Sequence, residues 1–268
     1  MHTHSVFCDG KDTPREMIEA ALEKNFDILG FSGHGPSPYD DAAMTEESVK
    51  DYIKTVRSLQ NEYRDAITIY LGIEQDSTCR IPSKDPYDFV IGSVHFLSRS
   101  GTFRPIDYSK EEFIGILEDW YHGSFTDMAE DYYREVARQA AFEEVDMIGH
   151  LDLLMKYNED ESFISFDDPA YLKIAEKCIH AIGNQPVYEV NTGAIARGMR
   201  KTPYPDRHLL EILHSIGAKL MLNSDCHDRR FLDCAFSPSL ELIRSCGFDC
   251  LYILKDGAFI PVDIDAFH

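Results

Sequence analysis

DFVIGSVHF, residues 88–96, is the stretch that decides the fold: an uninterrupted apolar run, Phe89–Val94, closes on His95. A short run rich in β-branched and aromatic residues, without helical period, reads as a strand buried on both faces, as in parallel sheets. Working outward, the same design recurs. Apolar runs near Met1–His4, Ile28–Phe31, Thr68–Ile73, Met147–Ile148, Val187–Val190 and Lys219–Leu222 bring the candidate strands to seven. Helical patterns separate them over Thr13–Lys24, Thr45–Tyr63, Phe125–Glu144, Tyr171–Ala181 and Asp206–Ile216, with Thr13 as N-cap and Pro14 at the first helical position. Repeated βα units imply an α/β protein with a parallel sheet. Seven units in 268 residues are accommodated more economically by one closed barrel spanning residues 1–268 than by an open doubly wound sheet, and the pattern alone leaves both open. Long irregular segments are expected at Gly33–Ala43 and Ser98–Asp107. Leu251–Leu254 and Ala258–Val262, flanking Lys255-Asp256-Gly257, read as a terminal hairpin.

Metal-ligand side chains recur at the ends of these strands. His2 and His4 are two apart on the first, so in extended chain both rings project from one side. His34 follows the second strand in GFSGHGP, Glu74 ends the third in YLGIE and His95 ends the fourth. His150 ends the fifth in MIGHLD, and Asp225 with His227 follows the seventh in LNSDCH. A parallel barrel gathers the C-terminal ends of its strands on one rim, so these dispersed residues are expected to converge there. A lone HxH carries little weight, but six of the 11 histidines fall at strand ends. His122, His180, His208, His214 and His268 fall elsewhere and read as surface. With Asp9, the set comprises six imidazoles and three carboxylates, more than one tetrahedral site can use, so a multinuclear centre follows. Mixed nitrogen and oxygen donors suit zinc, manganese or iron rather than magnesium or calcium.

Composition narrows the function. A net charge of −21 argues against nucleic acid as the main partner, because such proteins carry basic stripes, and favours a small substrate. No apolar run approaches the roughly 18 residues needed to span a bilayer. MHTHSVFCDG has neither the basic nor the apolar region of a secretory signal, and seven cysteines form no paired CxxC framework. A cytoplasmic protein with reduced thiols is the expectation. Among the cations, Arg197 in EVNTGAIARGMRKTPYP is placed to clamp phosphate oxygens, and Lys156 in GHLDLLMKY is a second candidate. Arg200 and Lys201 read as surface. Trp120, Tyr121, Tyr132 and Tyr133 have the helical spacing of core packing, and Cys226, without a free base beside it, reads as a small buried residue.

HTH at the start, Asp9-Gly10, GHGP around His34, GIE at Glu74, SVHF at His95, GHLD at His150 and SDCH at the end together resemble the polymerase and histidinol phosphatase (PHP) family, over nearly the whole chain. The resemblance implies a distorted seven-stranded (β/α)7 barrel, TIM-like, with a trinuclear metal site at the C-terminal rim. It implies a first metal on His2, His4, Glu74 and Asp225, a second on Glu74, His95 and His150, and a third on Asp9, His34 and His227. One departure is visible: His2 follows Met1 directly, where family members often have residues ahead of the HxH, so a shortened first strand is expected. EVNTGAIARGMRKTPYP is most similar to the histidinol-phosphate phosphatase branch.

The expected activity is therefore a phosphomonoesterase with two to three divalent metals, in which a metal-bridging hydroxide attacks phosphorus in line. L-histidinol phosphate is the substrate that the resemblance implies, within histidine biosynthesis. Arg197 and His34, with Lys156, would contact the phosphate, and Asp225 or His227 would deliver the leaving-group proton. One rival is a family phosphoesterase acting on another small phosphate ester or nucleotide, which a substrate panel separates. The other is a metal-binding module without turnover, which needs no such complete donor set.

Overall fold

Alternation along the strands sorts the barrel into layers. The computed structural model describes residues 1–267, so His268 lies outside the described residues. Its main sheet is parallel and has six strands: β1 (Ile28–Phe31), β2 (Thr68–Asp76), β3 (Phe89–Ser93), and, after the hairpin β4 (Phe96–Arg99) and β5 (Thr102–Pro105), β6 (Met147–Ile148), β7 (Val187–Asn191) and β8 (Lys219–Asn223). The order is β1-β2-β3-β6-β7-β8. Successive side chains point to opposite faces of a strand. Phe89 and Ile91 thus join Met147, Val187 and Met221 in an inner cluster, while Val90 packs outward with Leu71 and Ile73. Two residues further along, the inward positions turn polar: Glu74 is beside Ile91 in the register, Asp76 beside Ser93, and Asn191 beside Asn223. The barrel is greasy below and ionisable above.

Seven strands were expected, and the seventh position is filled more sparingly. Met1–His4 forms no strand; Thr3 alone bridges Cys226, and the N–H of Ser32 donates to Thr3 O at 2.9 Å. This segment therefore spans the seam between β8 and β1 at the rim. It pairs no further because the chain turns at once, with Ser5 O accepting from Cys8 and Gly10. The result is a curled six-stranded sheet of the distorted barrel type, closed by a single residue.

Helices cover the outside: α1 (Pro14–Glu23), α2 (Glu46–Tyr63), α3 (Lys110–Tyr121), α4 (Phe125–Ala140), α5 (Pro169–Ile182), the single turn α6 (Gly193–Ala196), α7 (Arg207–Ser215) and α8 (Phe236–Ser245). Thr13 caps α1 in a reciprocal box with Glu16. Helices α3, α6 and α8 lie outside the five stretches whose pattern predicts helix, although Trp120 and Tyr121 of α3 carry helical spacing. Ser98–Asp107 reads in sequence as an irregular segment, whereas β4 and β5 form a hairpin there. Ser100 and Gly101, both at positive φ, make the two-residue turn whose twist suits antiparallel strands. The terminal hairpin is present as β9 (Cys250–Lys255) and β10 (Ala258–Asp263), and its Leu254 and Phe259 close the lower, apolar end of the barrel. No helix among the described residues is long and apolar enough to cross a membrane.

Candidate metal centre

Glu74 is the hub. It is the third inward position of β2 counted from Tyr70, and it is 1% exposed. Its Oε2 lies 3.2 Å from His2 Nε2, 3.6 Å from His4 Nε2 and 3.0 Å from His34 Nδ1. Its Oε1 lies 3.1 Å from His150 Nε2 and 3.6 Å from His95 Nε2, and accepts from Ser93 Oγ at 2.6 Å. Asp225 is the second hub. A positive φ of 46° turns the chain sharply after β8, a conformation that aspartate tolerates better than most residues. Its Oδ1 comes within 3.2 Å of His4 Nε2, 3.7 Å of His2 Nε2 and 3.5 Å of His227 Nδ1. Asp9 completes the far side, with Oδ2 at 3.0 Å from His227 Nε2 and Oδ1 at 3.7 Å from His34 Nε2. All nine residues singled out in the sequence meet at one rim. His122, His180, His208 and His214 stay on or near the surface.

These separations fit shared cations. Tetrahedral bonds of 2.0–2.1 Å from imidazole to zinc put donor atoms about 3.3 Å apart. Three overlapping groups bring one donor atom from each residue within 4.8 Å of one another: His4, Asp9, His34 and His227; His2, His4 and Glu74; and His34, Glu74 and His95. His2 Nε2, His4 Nε2 and Glu74 Oε2 are buried without a hydrogen-bond partner. Buried polar atoms are rarely left so, and here they converge on one another. The donor set fits more than one divalent ion. Electrostatics agree: burial is the largest influence on His2 and pushes its pKa down, yet Glu189, Glu74 and Asp225 together hold it up to about 10. Burial likewise opposes ionisation of Glu74, but His2, His34 and His95 keep its carboxyl well below the usual range. The centre is a well of negative charge that positive charge stabilises.

Behind the nine stands a layer that the sequence reading did not find. Glu189 Oε1 is 2.7 Å from His2 Nδ1 and accepts from Asn223 Nδ2 at 3.0 Å, while Oε2 accepts from His150 N and Asn191 Nδ2, both at 2.9 Å. Asp76 Oδ2 accepts from His95 N at 2.8 Å and is 3.1 Å from His95 Nδ1. Carboxylates placed in this way orient an imidazole and raise its basicity as a ligand. The sequence signals them only as acids on candidate strands or their ends, without the histidines that they face.

The other candidates separate clearly. Arg197, at the end of α6, reaches Asp225 Oδ2 with Nη2 at 3.1 Å and His227 Nδ1 with Nη1 at 3.2 Å. Lys156 instead lies on Asp107, with Nζ 2.6 Å from its carbonyl and 3.2 Å from Oδ2. Arg200 is not the surface residue expected; it is buried between the rings of Phe166 and Tyr204, whereas Lys201 is exposed. Tyr121, Tyr132 and Tyr133 lie in the core with Trp120 packed against it, and Cys226 is buried with Sγ donating to Asp228 O at 3.0 Å.

Comparison with known proteins places this geometry in context. The PHP domain matches residues 1–193. A Deinococcus radiodurans protein named "Probable histidinol-phosphatase" is 29% identical over 92% of each chain. A Bacillus subtilis protein named "Histidinol-phosphatase" is 26% identical over 90% of this chain and 97% of its own. A crystal structure of the Lactococcus lactis histidinol phosphate phosphatase, complexed with zinc, L-histidinol and phosphate, superposes with a TM-score of 0.65 at 19% identity, covering 97% of both chains.

Proposed function

The chain belongs to the PHP domain family, and from that premise we propose that it is a metal-dependent phosphomonoesterase that hydrolyses L-histidinol phosphate to L-histidinol and phosphate. The observation that carries the hydrolase reading is the convergence of nine donors on Glu74 and Asp225 with buried donor atoms left unpartnered. The substrate rests on relatives of that name that match 92% and 90% of the chain. His2, His4, Glu74 and Asp225 would hold one ion, Glu74, His95 and His150 a second, and Asp9, His34 and His227 a third. His4 and His34, which face two groups each, sit where the sites adjoin. The chemistry that bound divalent ions supply is Lewis acidity: water is acidified to a pKa of about 7 and phosphoryl charge is neutralised.

The chain's own residues do the rest. Glu189 and Asp76 occupy the Nδ1 atoms of His2 and His95, so that both Nε2 atoms face Glu74. Arg197 presents a planar fork at the edge of the centre and takes phosphate oxygens, fixing phosphorus for in-line attack. His34, slightly exposed on its loop, borders the same space. The leaving-group proton is assigned to the Asp225–His227 pair, next to Arg197. Residues 1–268 act as one unit, and the seven free cysteines suit the reducing cytoplasm. The test is phosphate release from L-histidinol phosphate, p-nitrophenyl phosphate and nucleoside monophosphates, with metals counted on the same sample. A preference for histidinol phosphate of about a thousandfold in kcat/KM, with two to three ions per chain, is expected. Equal slow turnover of all esters would retain the metallohydrolase and remove the substrate assignment.

A further inference from the structure

Asp107 is a carboxylate beside the centre that the ligand set does not use. The N–H of Ile106 donates to His95 O at 2.9 Å, which extends the pairing of β4 and β5 and sets Asp107 against the backbone that carries His95. Its carbonyl is held from two sides, by Lys156 Nζ at 2.6 Å and Tyr157 OH at 2.7 Å, both from the turn that follows His150. Asp107 is thus tied to two ligand-bearing strand ends at once. Its carboxylate is engaged at one oxygen only: Lys156 reaches Oδ2 at 3.2 Å, and Oδ1 has no hydrogen-bond partner among the described residues. Lys156, His95, His150 and Arg197 share its field with the phenols of Tyr157 and Tyr204, and burial's opposition to ionisation is overcome chiefly by Lys156 and His95. An anion next to a phosphate-binding site repels the phosphate. Beyond its pairing with Lys156, such a group suits a substrate that carries a positive charge a few bonds from its phosphorus.

We propose that Asp107 receives the primary ammonium of the substrate through Oδ1 and so determines specificity for amino-bearing phosphate monoesters, with Lys156 and Tyr157 as its positioning residues. The inference rests on the reading above and names the part of the chain that recognises the organic half. A hydrogen-bonded charge pair of this kind is worth about 10- to 100-fold in affinity. The experiment compares L-histidinol phosphate with the same ester lacking its amino group, in the metal-loaded wild type, Asp107→Asn and Asp107→Glu. The wild type is expected to favour the amino ester by about 10- to 100-fold in kcat/KM, and Asp107→Asn to lose that ratio while retaining its metals and its turnover of the deaminated ester. Asp107→Glu, which restores the charge, should recover part of it. An unchanged ratio in Asp107→Asn, or equal loss on both esters, overturns the inference and leaves the phosphatase standing. A wild type that does not distinguish the two esters overturns the inference as well. One that releases phosphate from neither overturns the functional reading with it.

Discussion

At the scale of single residues, the centre depends on carboxylates that touch no candidate ion. Glu189 is fully buried, and its two oxygens accept from one backbone N–H and two amides while facing His2 Nδ1. Glu189→Gln keeps the size but brings an N–H to a site built from donors, and removes the charge that supports His2. Metal affinity is expected to fall about 10- to 100-fold, read by titrating a chelator against bound metal; a variant with wild-type affinity would reduce Glu189 to a packing role. The nine candidate positions were legible in the sequence because six of the residues close or follow β1, β2, β3, β6 and β8, while His2, His4 and Asp9 stood out through the HTH and Asp9-Gly10 motifs. Glu189, Asp76 and Asp107 were not, because their roles depend on what faces them. The partner of Glu189 is 187 residues away in the chain.

At the scale of elements, alternation along β2 and β3 sets the height of the centre. Gly72 occupies an inward position two residues before Glu74, and a Cβ there would meet the ring of Phe89 at 2.3 Å. The ring fills the space that a side chain would need, which locks β2 and β3 in register below the ligands. Gly72→Ala is expected to destabilise the protein by about 1–3 kcal/mol through overpacking, with lowered metal content because Glu74 shifts with its strand. Denaturant unfolding and metal analysis check this; unchanged stability would mean that Phe89 moves aside freely. The helices found from sequence were the strongly patterned ones with clear starts, as at Thr13-Pro14. The β4–β5 hairpin escaped because four-residue strands around Ser100-Gly101 resemble a polar loop until the pairing partner is known.

For the molecule as a whole, charge ties stability to metal. The centre brings Asp9, Glu74 and Asp225 together with Glu189, Asp76 and Asp107 close behind, in a chain whose net charge is −21. Ions present at about a thousand times their dissociation constant contribute roughly 4 kcal/mol to the folded state. Chelation is accordingly expected to lower Tm by roughly 10 °C, in a single transition if residues 1–268 are one unit. Calorimetry with and without chelator reads both points: an unmoved Tm removes the structural contribution of the ions, and two separated transitions remove the single unit. The sequence by itself determined the class of fold, all nine candidate ligands and the phosphoesterase reading, because period, rim position and donor chemistry are written locally and in chain order. Tertiary structure alone decided that Met1–His4 contributes a one-residue seam in place of a strand, that Arg200 is buried, that Lys156 serves Asp107, and which carboxylates stand behind the histidines. Those facts arise from contacts across the barrel, and no spacing along the chain encodes which side chains will face each other there.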